Sequence, residues 1–453
     1  MILPVACDVR HRIGTRILLG GLGAASLLGH AVGLPLLVAG SPRTHLAYIW
    51  LFGGLFLVYV LSISVVWRWR SEDRILLGVV FGFAFLFRVS LLASPVILSS
   101  DVYRYLWDGR VQWAGISPYR YPPAAVELAP LRDEVIHPNI NRADKPTVYP
   151  PGAELAFAAV ALVAPGSLPG WRVFLLACEA TTMGLLLTLL RRSGMPRTAV
   201  IVYAWSPLVI FEGVQAGHVD LAMLPLVLAA LTWRQAGSAV YAGIALGGAV
   251  LMKLYPLVLL PAWWRRGDWR FPTAVAATVA LGYAPHAANV GLGALGFLPE
   301  YLGRTEDHNI GLRALLTYPF GLTGDHARTA AMVLLFALLA GVAVWIGWAN
   351  AGNAAGLTRA GAFAAAAYLL LVPTSMHPWY VLWMVPFLCF QLWPAWLYFS
   401  GAVALSYMSY VVKPAPLPWW AWLAEYGPLY ALLIRSAWRA RARVPAALAS
   451  SVT

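Results

Sequence analysis

Acidic side chains at the edges of long apolar segments are the residues of this chain best suited to chemistry. Asp101 comes directly after the third apolar segment and opens an aromatic run that ends at Trp113. A carboxylate at the mouth of a helical bundle could remove a proton from a reactant that a lipid carries. The structural alternative is that Ser100 or Asp101 caps a short helix, while Arg104 and Asp108 form a surface pair of little energetic consequence.

A second set of polar residues lies near the ends of other apolar segments. Glu212, His218 and Asp220 flank one turn, and Lys253 is expected at the outer end of another helix. Ionisable groups at membrane depth are costly and usually face a cavity or a partner, so we expect these groups to converge on the side that carries the first aspartate. The alternatives are a helix-end histidine bonded to a backbone carbonyl and a lysine that reaches the membrane interface.

Three further ionisable residues can be interpreted in two ways. Arg88 and Glu179 lie in consecutive predicted spans, where they could form a midplane transport pair or a structural ion pair. His377 lies between Met376 and Pro378 at the predicted start of a helix, where it could bind a ligand or serve only the fold.

The segment from Glu300 to Arg313 combines both charge signs with a histidine. Arg304, His308 and Arg313 could stabilise the charge that develops on a phosphate leaving group, because preorganised donors lower the energy of such a transition state. The alternative is an ordinary solvated loop. No group of histidines and acids has a convincing metal-ligand spacing, so the sequence predicts neither a metal ion nor a cofactor.

The composition excludes a soluble enzyme. Of the 453 residues, 60% are hydrophobic and 11% are charged, and the mean hydropathy is +0.70, which one soluble core could not accommodate. Three dispersed cysteines argue against a disulfide framework or a thiolate metal site. The formal charge of +13 comes mainly from arginine clusters between apolar segments, a pattern typical of membrane topology rather than of nucleic-acid binding.

Apolar segments of suitable length predict an all-α, polytopic transmembrane helical bundle of about 12–14 spans. The segments lie near 17–39, 46–67, 75–93, 171–190, 198–213, 219–234, 238–252, 254–264, 271–288, 327–349, 360–375, 379–394, 395–412 and 422–438. Arginine clusters on alternate connections predict that those connections and both termini are cytoplasmic.

The side opposite the arginines then carries two long loops, 94–152 and 289–326. We expect the first of them to carry short interfacial helices and to be the catalytic loop, because long loops carry function more often than they merely connect. Residues 153–165 are too short to cross a membrane and predict a re-entrant or interfacial helix. We interpret residues 1–453 as a single domain.

Several short motifs occur in an informative order along the chain. They are Asp101-x-Tyr-Arg-Tyr-x-Trp-Asp108-Gly-Arg, Gly-Ile-Ser-Pro-Tyr, Leu-Arg-Asp, a pair of asparagines, Thr-x-Tyr-Pro-Pro, Gly217-His218-x-Asp220, Lys253-Leu-Tyr-Pro256 and His377-Pro-Trp-Tyr380. This order resembles that of bacterial GT-C membrane glycosyltransferases, notably the polyprenol-phosphate-mannose-dependent, glycosyltransferase 87-like mannosyltransferases. The chain departs from the better-known members in two ways: its long loop follows the third span rather than the first, and a lone Asp101 replaces the common paired acidic motif.

The resemblance implies an inverting hexosyltransferase with mannose as the expected sugar. In this family an aspartate at the start of the first long outer loop acts as the catalytic base, and Asp101 occupies that position. The implied reaction moves the sugar from a polyprenyl-phosphate donor to an acceptor hydroxyl on the non-cytoplasmic face of a bacterial inner membrane. The candidate substrate-binding residues are Tyr103, Arg104, Asp108, Tyr149, His218, Asp220, Lys253, Arg304, His308, Arg313, His377, Trp379 and Tyr380.

Two other functions fit parts of the sequence. A transporter or flippase for lipids or sugar-lipids fits the span count but leaves the rigid, proline-rich outer loop unexplained. A scaffold subunit of an envelope-assembly complex would show neither turnover nor sensitivity at Asp101. A transferase requires three partners, namely a lipid-linked sugar, a lipid or glycan acceptor and the membrane, whereas a transporter releases its cargo unchanged.

Overall fold

The computed structural model describes residues 3–33, 37, 42–69, 73–304, 308–317, 325–349, 354–371, 375–411 and 417–449. These residues form helices and turns, and no strand occurs among them, so the all-α prediction is confirmed. The first helices are α1 (Leu3–Gly33), α2 (Pro42–Trp69), α3 (Arg74–Val89), α4 (Asp101–Trp113), α5 (Pro151–Val163), α6 (Leu168–Arg192), α7 (Ile201–Ala204), α8 (Asp220–Gln235), α9 (Ala239–Met252), α10 (Leu259–Trp263) and α11 (Arg270–Val290). The others are α12 (Leu298–Arg304), α13 (Gly311–Thr317), α14 (Asp325–Ala349), α15 (Ala354–Leu371), α16 (Val385–Leu388), α17 (Pro394–Ala402), α18 (Met408–Val411) and α19 (Trp419–Ala449).

Several helices of the described chain can cross a membrane. Four segments are long and apolar enough by themselves, namely Ile13–Gly33, Arg43–Arg68, Leu168–Arg192 and Thr329–Ala349. The pair Arg197–Ala204 and Val209–Gln215 is bent by 63° and provides a fifth, broken candidate. A polytopic membrane bundle is therefore confirmed, whereas the total of about 12–14 spans stays a prediction.

Three more of the predicted spans are not continuous α-helices. Residues 254–264, 379–394 and 395–412 contain 3₁₀ segments at Tyr255–Val258, Pro378–Met384 and Val403–Tyr407, respectively. Pro256 and Pro378 stand in the first turn of the first two 3₁₀ segments. Proline has no backbone N–H to donate and clashes with a preceding helical turn, so a regular helix cannot run through these positions.

Helices α6, α8 and α9 define two opposite ends of the bundle. α6 ends at Arg192, which donates to the Thr232 carbonyl in the last turns of α8, and Arg234 in that turn pairs with Asp268. At the opposite end, α8 starts at Asp220, and α9 ends just before Lys253. Sixteen helical residues span about 24 Å, so the arginine-rich end is well separated from the acidic end.

A buried ion pair joins α3 to α6. Arg88 donates to both carboxylate oxygens of Glu179 at 2.6 and 2.7 Å, and its Nη1 also donates to the carbonyls of Ala84 and Ala204. Both side chains are almost inaccessible to solvent, at 4% and 0% exposure. The pair therefore ties three elements together, which favours the structural interpretation over a mobile transport pair.

The first outer loop is held down by helix pairing between α4 and α5. At their contact a Cβ on Gly109 would lie 2.6 Å from the carbonyl oxygen of Phe157, so only glycine permits this approach. α5 coincides with the short helix that the sequence predicts at 153–165, and it begins at Pro151, where proline is favoured because the first helical N–H needs no partner.

Candidate functional site

Asp101 is the first residue of α4, and its carboxylate is held by the loop rather than by the helix. Oδ1 accepts a 2.6 Å hydrogen bond from Nδ2 of Asn141, and the side chain retains 18% exposure. Ser100 occupies the N-cap position without a side-chain capping bond. The capping alternative is thus wrong for Ser100, and the Asp101 carboxylate is bound to Asn141 while it stays accessible to a reactant.

His218 lies beside this carboxylate, with its Nε2 at 3.9 Å from Oδ2 of Asp101. The turn before it needs Gly217, whose φ of +80° is costly for other residues, and a Cβ there would lie 3.3 Å from Val102 in α4. Trp171 of α6 donates to the Gly217 carbonyl at 2.7 Å. The glycine turn therefore allows the histidine to approach the start of α4.

The other ring nitrogen of His218, Nδ1, lies 2.9 Å from the carbonyl oxygen of Glu212. This contact matches the helix-end histidine that the sequence allows. The Glu212 carboxylate is 3.7 Å from Nδ1 and accepts hydrogen bonds from the hydroxyls of Tyr48 and Tyr407 at 3.2 and 2.9 Å. Burial lowers the pKa of His218, although the carboxylates of Asp101 and Asp220 oppose that effect, so the ring is neutral at rest.

A lysine and an aspartate meet at the outer ends of α8 and α9. Lys253 Nζ lies 3.3 Å from Oδ2 of Asp220, and Tyr255 donates to the other oxygen of that carboxylate at 2.7 Å. The same ammonium lies 5.2 Å from the ring centre of Tyr149 and 5.9 Å from that of Tyr380. The lysine is thus held over aromatic faces inside the site instead of extending to the interface.

Four aromatic rings from three parts of the chain form a stacked column. His218 stacks on Trp379 at 3.9 Å, Trp379 on His377 at 4.4 Å, and His377 on His308 at 5.1 Å. The second outer loop therefore reaches the site through His308. Tyr380 continues the contact by sharing a 3.0 Å hydrogen bond with Tyr301.

Arg104 and Asp108, one and two helical turns after Asp101 in α4, belong to a buried polar network. Arg104 binds Asp108 through Nε at 2.8 Å, with exposures of 6% and 2%, so the alternative of a surface pair is wrong. The carboxyl of Glu154 joins the network, accepting from Thr147 at 2.6 Å. The pair is buried because α5 packs over α4 on this side.

Burial raises the pKa of Asp108 despite the nearby guanidinium, and burial together with Asp108 raises the pKa of Glu154. Two carboxyl groups that share one buried site resist simultaneous ionisation. The network therefore fastens the outer loop and α5 to α4, because Arg104 also donates to the Lys145 carbonyl and Glu154 accepts from Thr147.

The remaining predicted site residues are dispersed. Tyr103 is half-buried near Arg172, and Arg313 is buried with its Nη1 3.4 Å from the sulfur of Met332 in α14. Arg304 is the last residue of α12, and its side chain lies outside the described residues. The described geometry consequently places neither Tyr103 nor Arg313 in the ring column.

Two neighbouring loop residues join the site without having been predicted. Asn141 holds Asp101, and Arg142, at a φ of +51°, lies 5.4 Å from the ring centre of Phe297 and acts electrostatically on His377. The paired asparagines were the available signal for Asn141. Nothing local distinguishes Arg142, because its place depends on the contact between the two outer loops.

The described residues contain no group of three or more His, Cys, Asp or Glu side chains arranged to hold a metal ion. The site instead combines one accessible carboxylate with Lys253, Arg142 and histidines. Such a set can accept a proton at one point and stabilise negative charge at another. The expectation that the reaction uses no metal stays a prediction.

A family model described as alpha-(1→6)-mannopyranosyltransferase, N-terminal domain, matches residues 14–265. The match spans more than half of the 453 residues and contains Asp101, His218 and Lys253. No significant match was found among curated proteins or among solved structures. The resemblance to mannosyltransferases is confirmed at this level, whereas the GT-C and glycosyltransferase 87-like assignments stay predictions.

Proposed function

The chain belongs to the alpha-(1→6)-mannopyranosyltransferase family, and on that basis we propose that it transfers mannose from a polyprenyl-phosphate donor to an acceptor hydroxyl with inversion. The observation that carries this proposal is the Asp101 carboxylate, oriented by Asn141 at the start of α4 and still partly exposed. In the reaction Asp101 removes the proton of the acceptor hydroxyl while that oxygen attacks the anomeric carbon from the face opposite the phosphate.

The leaving phosphate needs cations within reach of the same site. Lys253 and Arg142 supply positive charge, and both act electrostatically on His377 of the ring column. Because Lys253 is already held by Asp220 and aromatic faces, little reorganisation is required when charge develops on the phosphate. His218 and His377 already stack on Trp379, so Tyr149 and the edge of Trp379 are the groups that would contact the sugar or the first isoprene units.

We further propose that the site faces the non-cytoplasmic side of a bacterial inner membrane. α6 ends at Arg191 and Arg192, and the last turn of α8, which leads into the connection to α9 on the same side, carries Arg234, whereas the opposite ends of these three helices carry a site residue or a residue that contacts the site. Positive connections remain in the cytoplasm, which supports an outward site and cytoplasmic termini. The two outer loops, 94–152 and 289–326, then belong to one catalytic domain.

The test is transfer of labelled mannose from polyprenyl-phosphate-mannose into membrane extracts at matched expression. We expect wild type to form a new labelled product and Asp101→Asn to lose about 10²- to 10⁴-fold in turnover, which is the usual contribution of a general base. Asp144→Asn is the matched control, because Asp144 lies in the same loop and its side chain is 72% exposed. It should transfer like wild type.

Three outcomes contradict parts of the proposal. Full activity of Asp101→Asn would show that Asp101 is not the catalytic base. Absence of transfer by wild type would show that the proposed donor or the proposed acceptor class is wrong. Label that crosses the membrane on an unchanged lipid carrier, without requiring an acceptor, favours the flippase alternative, which the sequence also allows.

A further inference from the structure

The imidazole of His218 has one nitrogen whose role the fold does not explain. The residue is fully buried, with 0% exposure, and its Nε2 has no hydrogen-bond partner within the described part of the chain. A buried polar atom without a partner costs about 1–3 kcal/mol, so it calls for a functional reason. The nearest charged atom that faces Nε2 is Oδ2 of Asp101 at 3.9 Å.

The hydrogen bond at Nδ1 determines the tautomer of the His218 ring. Nδ1 lies 2.9 Å from the Glu212 carbonyl oxygen, and a carbonyl oxygen can only accept. Nδ1 of the neutral ring therefore carries the hydrogen, and Nε2 presents a lone pair toward Asp101. This is the tautomer that a proton acceptor needs, and Glu212 selects it by its backbone.

We propose that His218 receives the proton that Asp101 takes from the acceptor hydroxyl, so that Asp101 returns to its carboxylate form. This inference rests on the proposed transfer reaction. The acceptor O–H bond breaks as the new C–O bond forms, and the bond from the anomeric carbon to the phosphate oxygen breaks with its electron pair. The proton passes to an oxygen of Asp101 and then to Nε2 of His218, which acts through Asp101 and does not touch the substrate.

The surroundings of His218 stabilise the imidazolium that this step creates. Carboxylates approach from three elements: Asp101 from α4, Asp220 from α8, and Glu212, whose Oε2 is 3.7 Å from Nδ1. The ring also stacks at 3.9 Å on Trp379, and an indole face attracts a cation.

Two groups oppose the charge. They are Lys253 and His377, both of which interact electrostatically with His218. Lys253 is itself paired with Asp220, which reduces its effect on the ring. The imidazolium can therefore form during turnover, while burial keeps the resting ring neutral and able to accept a proton.

The test compares the pH dependence of kcat in wild type and His218→Gln, using the full-length protein in lipid with polyprenyl-phosphate-mannose. Because a protonated His218 cannot accept a proton, wild-type kcat should fall on the acid side with the ionisation of His218. We expect His218→Gln to lose about tenfold to a hundredfold in kcat, to keep its donor KM within about twofold, and to shift its acid limb, because only the protonation of the base itself then limits the rate.

His137→Gln is the matched control. This histidine lies in the outer loop that carries Asp101, with Nε2 3.3 Å from the Pro123 carbonyl oxygen and its ring 5.3 Å from that of Trp107. It should retain the wild-type pH profile. Imidazole added to His218→Ala should restore part of kcat, which a purely structural histidine would not show.

A second measurement does not depend on activity. In protein labelled with ¹⁵N-histidine, Asp101→Asn should lower the pKa of His218, because the carboxylate that favours its charged form is gone. An unmoved His218 titration overturns the proton transfer even if mannose is transferred normally, and so does an acid limb that is the same in wild type and His218→Gln. If wild type transfers no mannose, the proposed function fails, and the titration still decides whether the two residues share a proton.

Discussion

Asn141 offers a selective test of how the loop prepares the base. Its Nδ2 donates to Oδ1 of Asp101 at 2.6 Å, which occupies one carboxylate oxygen and leaves Oδ2 for the reaction. A hydrogen bond to a charged group contributes about 1.5–3 kcal/mol. At about 1.4 kcal/mol per factor of ten, complete loss of the bond in the transition state would lower kcat about 10- to 100-fold.

The partly exposed position of this bond indicates the lower end of that range. Water can replace the amide in Asn141→Ala, so we expect about a tenfold loss of kcat with little change in donor KM. The assay is the initial rate of mannose transfer at saturating donor. Asn139→Ala is the control, because the Asn139 amide donates to the Val135 carbonyl at 2.8 Å instead of to Asp101.

A double-variant cycle shows whether the effect passes through the carboxylate. On an Asp101→Asn background the charge-assisted bond is already lost, so Asn141→Ala should cause little further decrease. Wild-type kcat in Asn141→Ala would refute the reasoning. Equal losses in Asn141→Ala and Asn139→Ala would also refute it, because they would indicate a general disturbance of the loop.

Two further predictions concern stability. Replacing only one partner of the buried Arg88–Glu179 pair by leucine should cost about 3–5 kcal/mol in denaturant unfolding, whereas the double replacement should cost less than either single one; a double variant as unstable as the sum of the singles would contradict a structural pair. Burial alone would raise the pKa of Asp133, but hydrogen bonds from Arg110 and two backbone N–H groups lower it. Such a carboxylate stabilises the loop above its unfolded-state pKa of about 4 and loses that contribution as pH falls through its folded-state value. Pepsin cleavage of the outer loop should therefore increase as pH drops below about 4, and Asp133→Asn should remove this dependence.

Much of the protein's character follows from local sequence. The high apolar content requires membrane helices, because water cannot solvate so much apolar surface, and the prolines of the first loop prevent long helices there. Asp101 begins a helix as its neighbours predict. The motif that contains Gly217 and His218 also forms the expected turn, since a positive φ strongly favours glycine.

Only the packing of distant segments decided which of these groups work together. Asn141 reaches Asp101 from 40 residues away, and the ring column unites His218, Trp379 and His308 from separate parts of the chain. The i,i+4 spacing of Arg104 and Asp108 predicts their pairing, but their burial depends on α5, which covers that face of α4. Helical periodicity specifies which residues share a face, whereas the neighbour of that face is selected by the summed packing of the whole bundle.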